Sequence, residues 1–478
     1  MTTSRADLPL VVRRADPSSL SAQLVAQLRA AVTSGVVLAG ERLPSSRDLA
    51  ATMGVSRTVV TTAYTQLFAE GWLESRHGAG TYVADVTPAP APTEMPAPTA
   101  ALSSALSSTS RPGEATRREP IELRPGIPWA AGIEPDVWRR AWRHAGTRPP
   151  SGWPDAFGLP GLRAELAQYL RRSRALNVTP DQVFMTRGVS NGLTSIAAAL
   201  VRPGDRVGVE EPGYQAAREV LRRAGAEVVP CRVDEHGIVP EELPAGLRLL
   251  YTTPAHQYPL GGRLPVTRRQ ALTAWARTTG ALIVEDDYDG EFRYDVAPLP
   301  ALYSMDPEVV VYLGTTSKML SPVFGAGWLV ASPDLIRLVA RRRREISERV
   351  PEPVQYALLA LLTSGDLERH VRRMRLEYAR RRVALVEALA PYSRVLGDTA
   401  GMHVVLELPP ACTAEDLAAA AAERGVLVST VDRYYAGRPT LNAIVLGYGA
   451  TPLPQLRQAA TTLQRLLSRN WFCTIPSE

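Results

Sequence analysis

Cysteine is sparse in this chain of 478 residues: there are three, Cys231, Cys412 and Cys473. They are odd in number, far apart and without paired spacing, which excludes a disulfide framework or a cysteine-based zinc site; no metal site is read from the sequence. Long apolar runs are missing as well. No stretch of about 18 apolar residues offers a membrane span, and the start Met1-Thr2-Thr3-Ser4-Arg5-Ala6-Asp7 has no apolar leader. A reducing cytoplasm, with no membrane partner, is therefore the expected setting. Charge of one sign is not in large excess: Lys+Arg 54 against Asp+Glu 48 leaves +6, which permits nucleic-acid binding without requiring it. Lysine is scarce beside arginine, which reads as a bias of genome composition.

What is present is 45% hydrophobic, enough for large cores, and the length calls for more than one domain. Three regions differ in pattern. Residues 1–84 carry helix-period segments and a short β-rich end. Residues 85–118 turn to Pro, Ala, Ser and Thr, a composition that buries little and predicts an extended, mobile linker. In residues 119–478 short apolar runs alternate with amphipathic helices, as in a mostly parallel α/β sheet buried on both faces.

In the first region Ser45 and Ser56 each precede a helical stretch and suit N-caps, with Gly54 at the turn between them. On the second helix Val60, Ala63, Tyr64 and Leu67 share one face. Arg57, Thr58, Thr61 and Thr65 share the other, where Arg can reach guanine edges and Thr can meet base edges or phosphates. The stretch from Glu70 to Val83 has strand–turn–strand spacing and predicts a wing, with Arg76 and His77 near phosphate or the minor groove. Exposed Arg/Thr faces are commonly just solvated, so these residues alone leave DNA binding open.

In the third region the apolar runs 206–209, 249–251, 281–284 and 309–313 are each followed by a polar or aromatic cluster. The clusters are Glu210-Glu211-Pro212-Gly213-Tyr214, Thr252 to Pro259 with His256, Glu285-Asp286-Asp287-Tyr288, and Gly314-Thr315-Thr316-Ser317-Lys318. Ligands of open α/β sheets bind at strand carboxyl ends, so four such clusters converge on one site. The Lys318 amine can join an aldehyde such as that of pyridoxal phosphate, and Asp286 suits the cofactor's ring nitrogen. Tyr288 suits the ring hydroxyl and Tyr214 the ring face. Thr186-Arg187-Gly188-Val189-Ser190-Asn191-Gly192, before an apolar helix, suits a phosphate through its backbone N–H groups and the Ser190 hydroxyl, with Thr315 and Ser317 flanking the lysine.

The stretch Leu20–Val83, with RLPSSRDLA, GVSRTVVTTAY, EGW and HGAGTYV, resembles the winged helix-turn-helix of the GntR family. From about Pro120 onward TPAHQYPLG, VEDDYDGEFRY and YLGTTSKMLSP resemble the fold-type I aminotransferases. Together they resemble the MocR/GabR group of bacterial regulators. The resemblance implies an α/β protein: an N-terminal winged helix-turn-helix joined to an aminotransferase-like domain. That domain should have a mixed, mostly parallel sheet in an α/β/α sandwich and a smaller C-terminal subdomain. It also implies a homodimer, operator DNA as partner with Arg47, Ser56, Arg57 and Thr58 at the contact and His77-Gly78 at the wing tip, and pyridoxal phosphate on Lys318. The cofactor would serve to sense vitamin B6 or an amino compound more than to turn over substrate.

The chain departs from the family pattern twice. Gly325 stands where an arginine normally grips the cofactor phosphate. Ala443-Ile444-Val445-Leu446-Gly447-Tyr448 lacks the late arginine that binds a substrate carboxylate, leaving Arg433 as the candidate substitute. Two rival readings stay open on the sequence: a working aminotransferase with a DNA-binding appendage, and a regulator whose large domain has lost the cofactor. The arginine runs 341–344 and 372–382 read as solvated helix faces paired with Glu345, Glu348 and Glu377.

Overall fold

In the computed structural model of the chain, serine side chains open each of the first three helices. Ser19 caps α1 (Leu20–Thr33), Ser45 caps α2 (Ser46–Met53) and Ser56 caps α3 (Arg57–Ala69). Their hydroxyls accept from Ala22, Asp48 and Val59 N–H at 3.2, 3.2 and 3.4 Å, satisfying first-turn donors that have no intrahelical partner. Val60, Ala63, Tyr64 and Leu67 form the buried face of α3, packed in one core with Leu24 and Leu28 of α1 and Leu49 of α2. Strands β1 (Leu73–Arg76) and β2 (Gly80–Val83) pair antiparallel, with Leu73 opposite Val83.

The structure describes residue 8 and residues 10–76, 80–85, 120–149, 151–294, 299–397 and 399–472. Of the predicted linker, residues 86–118 lie outside the described residues. The chain divides into two units, residues 1–115 and 116–478.

The second unit begins with β3 (Ile121–Glu122), α4 (Pro135–Gly146), α5 (Pro160–Arg174), β4 (Val183–Thr186), α6 (Val189–Leu200), β5 (Arg206–Glu211) and α7 (Gln215–Arg223). Then come β6 (Glu227–Asp234), β7 (Gly237–Ile238), β8 (Leu249–Thr252), α8 (Val266–Thr279), β9 (Leu282–Asp287), β10 (Val310–Thr315) and β11 (Gly327–Val330). Helices α9 (Pro333–Glu345), α10 (Glu352–Thr363) and α11 (Asp366–Leu389) lead to the C-terminal part. That part holds β12 (Val395–Leu396), β13 (His403–Glu407), α12 (Ala414–Glu423), β14 (Val426–Leu427), β15 (Ser429–Thr430), β16 (Ala443–Gly447) and α13 (Leu453–Phe472).

The main sheet has eight strands in the order β4-β11-β10-β9-β8-β5-β6-β7. Its middle, β10-β9-β8-β5-β6, is parallel, while β11 and β7 run antiparallel to their neighbours. The four apolar runs of the sequence are thus neighbouring strands. Successive side chains alternate between two cores: Val310 and Tyr312 of β10 enter one, Val311 and Leu313 the other. That is the period of a strand covered on both faces, and it makes the sheet the centre of an α/β/α sandwich. Gly314 faces the Trp328 indole across the β10–β11 pair and leaves room for it. A smaller antiparallel sheet, β12-β13-β16-β15, forms the C-terminal subdomain with α12 and α13.

The arginine runs correct the sequence reading at two positions. Arg343 and Arg381 are buried rather than solvated. Arg343 donates to the Met185 carbonyl and to Asn191 Oδ1, and Arg381 to the Gly449 carbonyl while keeping the expected partner Glu377 at 2.9 Å; each lies over an aromatic ring, Phe184 at 4.5 Å and Trp129 at 4.2 Å. Others keep the expected partners, such as Arg342 with Glu345 at 3.1 Å.

Candidate functional site

The alternation that builds the sandwich also sorts the acids at the end of β9. Glu285 accepts from the Leu302 and Tyr303 N–H groups at 2.8 and 2.9 Å, and Asp287 pairs with Arg174. Asp286, on the opposite face, lines a cavity of about 900 Å³. Ends of β5, β8, β9 and β10 meet there, bringing Tyr214, Tyr258, Asp286, Tyr288 and Lys318 to one space. Asp286 accepts a hydrogen bond from the Tyr251 hydroxyl, while its Oδ1 is buried with no partner among the described residues. Burial pushes its carboxyl up to about 8.

Lys318 Nζ donates to the Gly126 carbonyl at 2.6 Å. Desolvation lowers its proton affinity, and the carboxylates of Asp289 and Asp286 oppose that shift. Gly126 has φ +97, and a side chain there would start 3.3 Å from the amine, so this turn is shaped for close approach. Lys318 is the only lysine among the 478 residues. The scarcity seen in the composition is therefore complete everywhere except at this strand end. Arginine replaces lysine wherever a cation suffices, but a guanidinium, always protonated, cannot act as an amine nucleophile.

A cup lies beside the lysine. Thr315 Oγ1 donates to Ser317 Oγ at 2.9 Å and accepts from Ser317 N–H at 3.1 Å. Gly188, at φ +128, comes so near that a Cβ would sit 3.4 Å from Thr315 Oγ1. Ser190 and Asn191 follow in the first turn of α6 and also line the cavity. A half-buried amine, a carboxylate oxygen waiting for a donor and a hydroxyl-lined helix start are the donor set that pyridoxal phosphate needs. The residues fit that group.

His256 does not line the cavity. It stands behind Tyr288, whose hydroxyl lies 2.9 Å from His256 Nδ1, and it pairs with Asp289 at 3.0 Å. His403 is adjacent, its Nε2–H donating to the Pro259 carbonyl at 2.9 Å, and burial lowers its pKa to about 4. Arg433 lines the cavity with its guanidinium 5.7 Å from the centre of the Tyr434 ring. Sequence reasoning missed Gly126 as a site residue, and it gave no role to Tyr258 and Tyr434. These two rings lie edge to face at 5.3 Å, with Tyr214 against Tyr258 at 6.0 Å.

The Asp286 environment gives a pH prediction. A carboxyl held at about 8 in the fold and near 3.8 when unfolded costs stability progressively between those values. Below the unfolded value the cost vanishes, and above about 8 it is complete. Asp286→Asn is therefore expected to raise the Tm of the cofactor-free protein more at pH 8 than at pH 5. Equal shifts at both pH values would contradict the buried, unpartnered oxygen.

On the first unit, Arg47 is exposed on α2, and Arg57 reaches the Ser46 hydroxyl at 3.4 Å. Arg57, Thr58, Thr61 and Thr65 line one shallow groove on the exposed side of α3, with Thr62 and Gln66. Arg76 ends β1, while His77 and Gly78 lie outside the described residues. No helix among the described residues is long and apolar enough to cross a membrane.

Comparison with known proteins agrees with both halves. Residues 20–83 match the bacterial regulatory proteins of the gntR family, and residues 129–442 match aminotransferase class I and II. The HTH-type pyridoxine biosynthesis transcriptional regulator PdxR of Corynebacterium glutamicum is 37% identical over 95% of this chain and 97% of its own. The probable rhizopine catabolism regulatory protein MocR of Rhizobium meliloti is 34% identical over 95% of each. Among solved structures, an archaeal alanine:glyoxylate aminotransferase superposes with a TM-score of 0.69 at 26% identity, over 74% of this chain and 91% of that one.

Proposed function

Because this chain belongs to the GntR-family transcriptional regulators of MocR type, which carry an aminotransferase class I and II domain, we propose that it binds pyridoxal phosphate and adjusts its hold on operator DNA accordingly. The observation that carries this reading is the single lysine of the chain placed in the strand-end cavity. When bound, the cofactor supplies an aldehyde that a primary amine can join. Lys318 is the amine for that bond. Asp286, through its free oxygen, holds a proton at the ring nitrogen, and a cationic partner there brings its pKa down. Tyr288, steadied by His256 and Asp289, faces the ring hydroxyl, and Tyr214 and Tyr258 cover the ring and keep water away. Thr315, Ser317, Ser190 and the N–H groups of α6 receive the phosphate.

Sensing is favoured over turnover by β16. Its Ile444, Val445 and Leu446 are fully buried and apolar, so this strand offers no cation to a substrate carboxylate. Arg433 is the cation available in the cavity for an amino compound bearing a carboxylate. The protein acts as a homodimer, and ligand influences DNA binding only by favouring one arrangement of that dimer over another.

The reading half rests on α3. Arg57→Ala is expected to weaken binding to a duplex selected by the wild type by about 1–3 kcal/mol and to relax selectivity at one base pair. Fluorescence anisotropy over a set of single-site DNA variants checks it. Unchanged affinity and unchanged selectivity would show that α3 is not the reading helix.

A further inference from the structure

The cup beside Lys318 consists of neutral donors: the Thr315 and Ser317 hydroxyls and the N–H groups at the start of α6. A phosphate monoester carries about −1.5 to −2 charges at pH 7. Neutral donors leave much of that charge unanswered, and Gly325, at φ +64, brings no side chain to it. A cation must come from elsewhere in the cavity wall, where Lys318, Arg187, Arg223 and Arg433 are found.

Three of these have another role or lie away from the cup in the chain. Lys318 is the amine that meets the aldehyde. Arg223 is bonded to Glu219 at 2.6 Å at the far end of α7. Arg433 lies over Tyr434, between β15 and β16 of the C-terminal subdomain, and is the cation given above to a carboxylate. Arg187 differs because it directly precedes Gly188. Its backbone N–H donates to Asn191 Oδ1 at 2.9 Å, which ties it to the first turn of α6. Its guanidinium pairs with Glu348, and Glu348 also accepts from Asn191 Nδ2 at 2.7 Å. Arg343 donates to the same Asn191 Oδ1 at 3.1 Å. Two guanidiniums against one carboxylate leave this cluster one positive charge in excess at the foot of the cup. Arg343 is buried, whereas the Arg187 side chain is about half exposed and lines the cavity.

We propose that Arg187 is the phosphate-binding cation of this site, turning from Glu348 to the phosphate of the bound cofactor, with Glu348 as its competitor in the empty cavity. The assignment rests on the cofactor reading above. It makes phosphate recognition a property of the loop before α6 rather than of the loop after the lysine.

The test compares equilibrium binding of pyridoxal phosphate and of pyridoxal, which has the aldehyde and ring but no phosphate, on the full chain by tryptophan fluorescence. Arg187→Gln is expected to weaken pyridoxal phosphate about tenfold or more and to leave pyridoxal within about twofold. Glu348→Gln, which frees Arg187, is expected to tighten pyridoxal phosphate alone. Equal loss of both compounds in Arg187→Gln would make Arg187 a scaffold residue and overturn the assignment, as would loss of neither. Wild type that binds pyridoxal phosphate no better than pyridoxal also overturns it, with the cofactor reading intact. Wild type that binds neither overturns both.

Discussion

Lys318→Ala is expected to remove all visible absorption that the wild type gains from pyridoxal phosphate, and to loosen the cofactor about a hundredfold or more. The effect is large because nothing can replace the lost amine. Most proteins offer a neighbouring lysine that can capture an aldehyde adventitiously, but this chain has no second lysine. The same fact makes the wild type unusually clean to assay. Borohydride treatment should fix one cofactor per chain, on the peptide that contains Thr315 to Leu320. The geometry supports a ready amine: Nζ is desolvated and directed at a carbonyl 2.6 Å away rather than at a carboxylate. Absorption retained in Lys318→Ala, or label found on the terminal amine instead, would contradict the assignment.

Arg174→Met is expected to destabilise the second unit by about 3–5 kcal/mol, the range for breaking a buried ion pair by removing one partner. Arg174 is buried between Asp287 and Glu291, at 2.7 Å from the latter, and Tyr312 adds a hydrogen bond to Asp287 at 2.8 Å. Burial already raises the pKa of Glu291, and the arginine opposes that shift. Without the cation Glu291 can stay buried comfortably only when protonated. The stability lost should therefore grow as pH rises above the ordinary glutamate range and shrink toward pH 4. Because Asp287 adjoins Asp286, the variant should also loosen pyridoxal phosphate. Denaturant unfolding at pH 5 and pH 8 measures the first effect. A loss below about 1 kcal/mol at pH 8 would show that the two carboxylates find other partners.

The parts of this molecule that the sequence made plain are those built from local signals. Ser45, Gly54 and Ser56 place three helix boundaries by chemistry within a few residues, and the face of α3 follows from its period. The strand ends were equally readable, since an apolar run followed by a polar cluster needs no knowledge of distant chain. The rest depends on residues far apart in sequence. Gly126 meets Lys318 from 192 positions away, and no pattern near Pro125 announces it. Tyr258 and Tyr434 are separated by 176 positions and become a cover only when the two subdomains meet. The burial of Arg343 and Arg381 was missed because a run of charge looks the same whether its side chains face water or the interior. His256 sits in the right cluster, yet its partners Tyr288 and Asp289 place it one layer behind the cavity.

The central claim is that the enzyme-like half governs the DNA-reading half through pyridoxal phosphate. The measurement that tests it most directly is the affinity of the full chain for a duplex it has itself selected, with and without pyridoxal phosphate. The same titration on Lys318→Ala completes the comparison. The account predicts a several-fold or larger change in wild-type affinity that is absent in the variant. An affinity that does not respond to pyridoxal phosphate in the wild type, although the cofactor is bound, would contradict it.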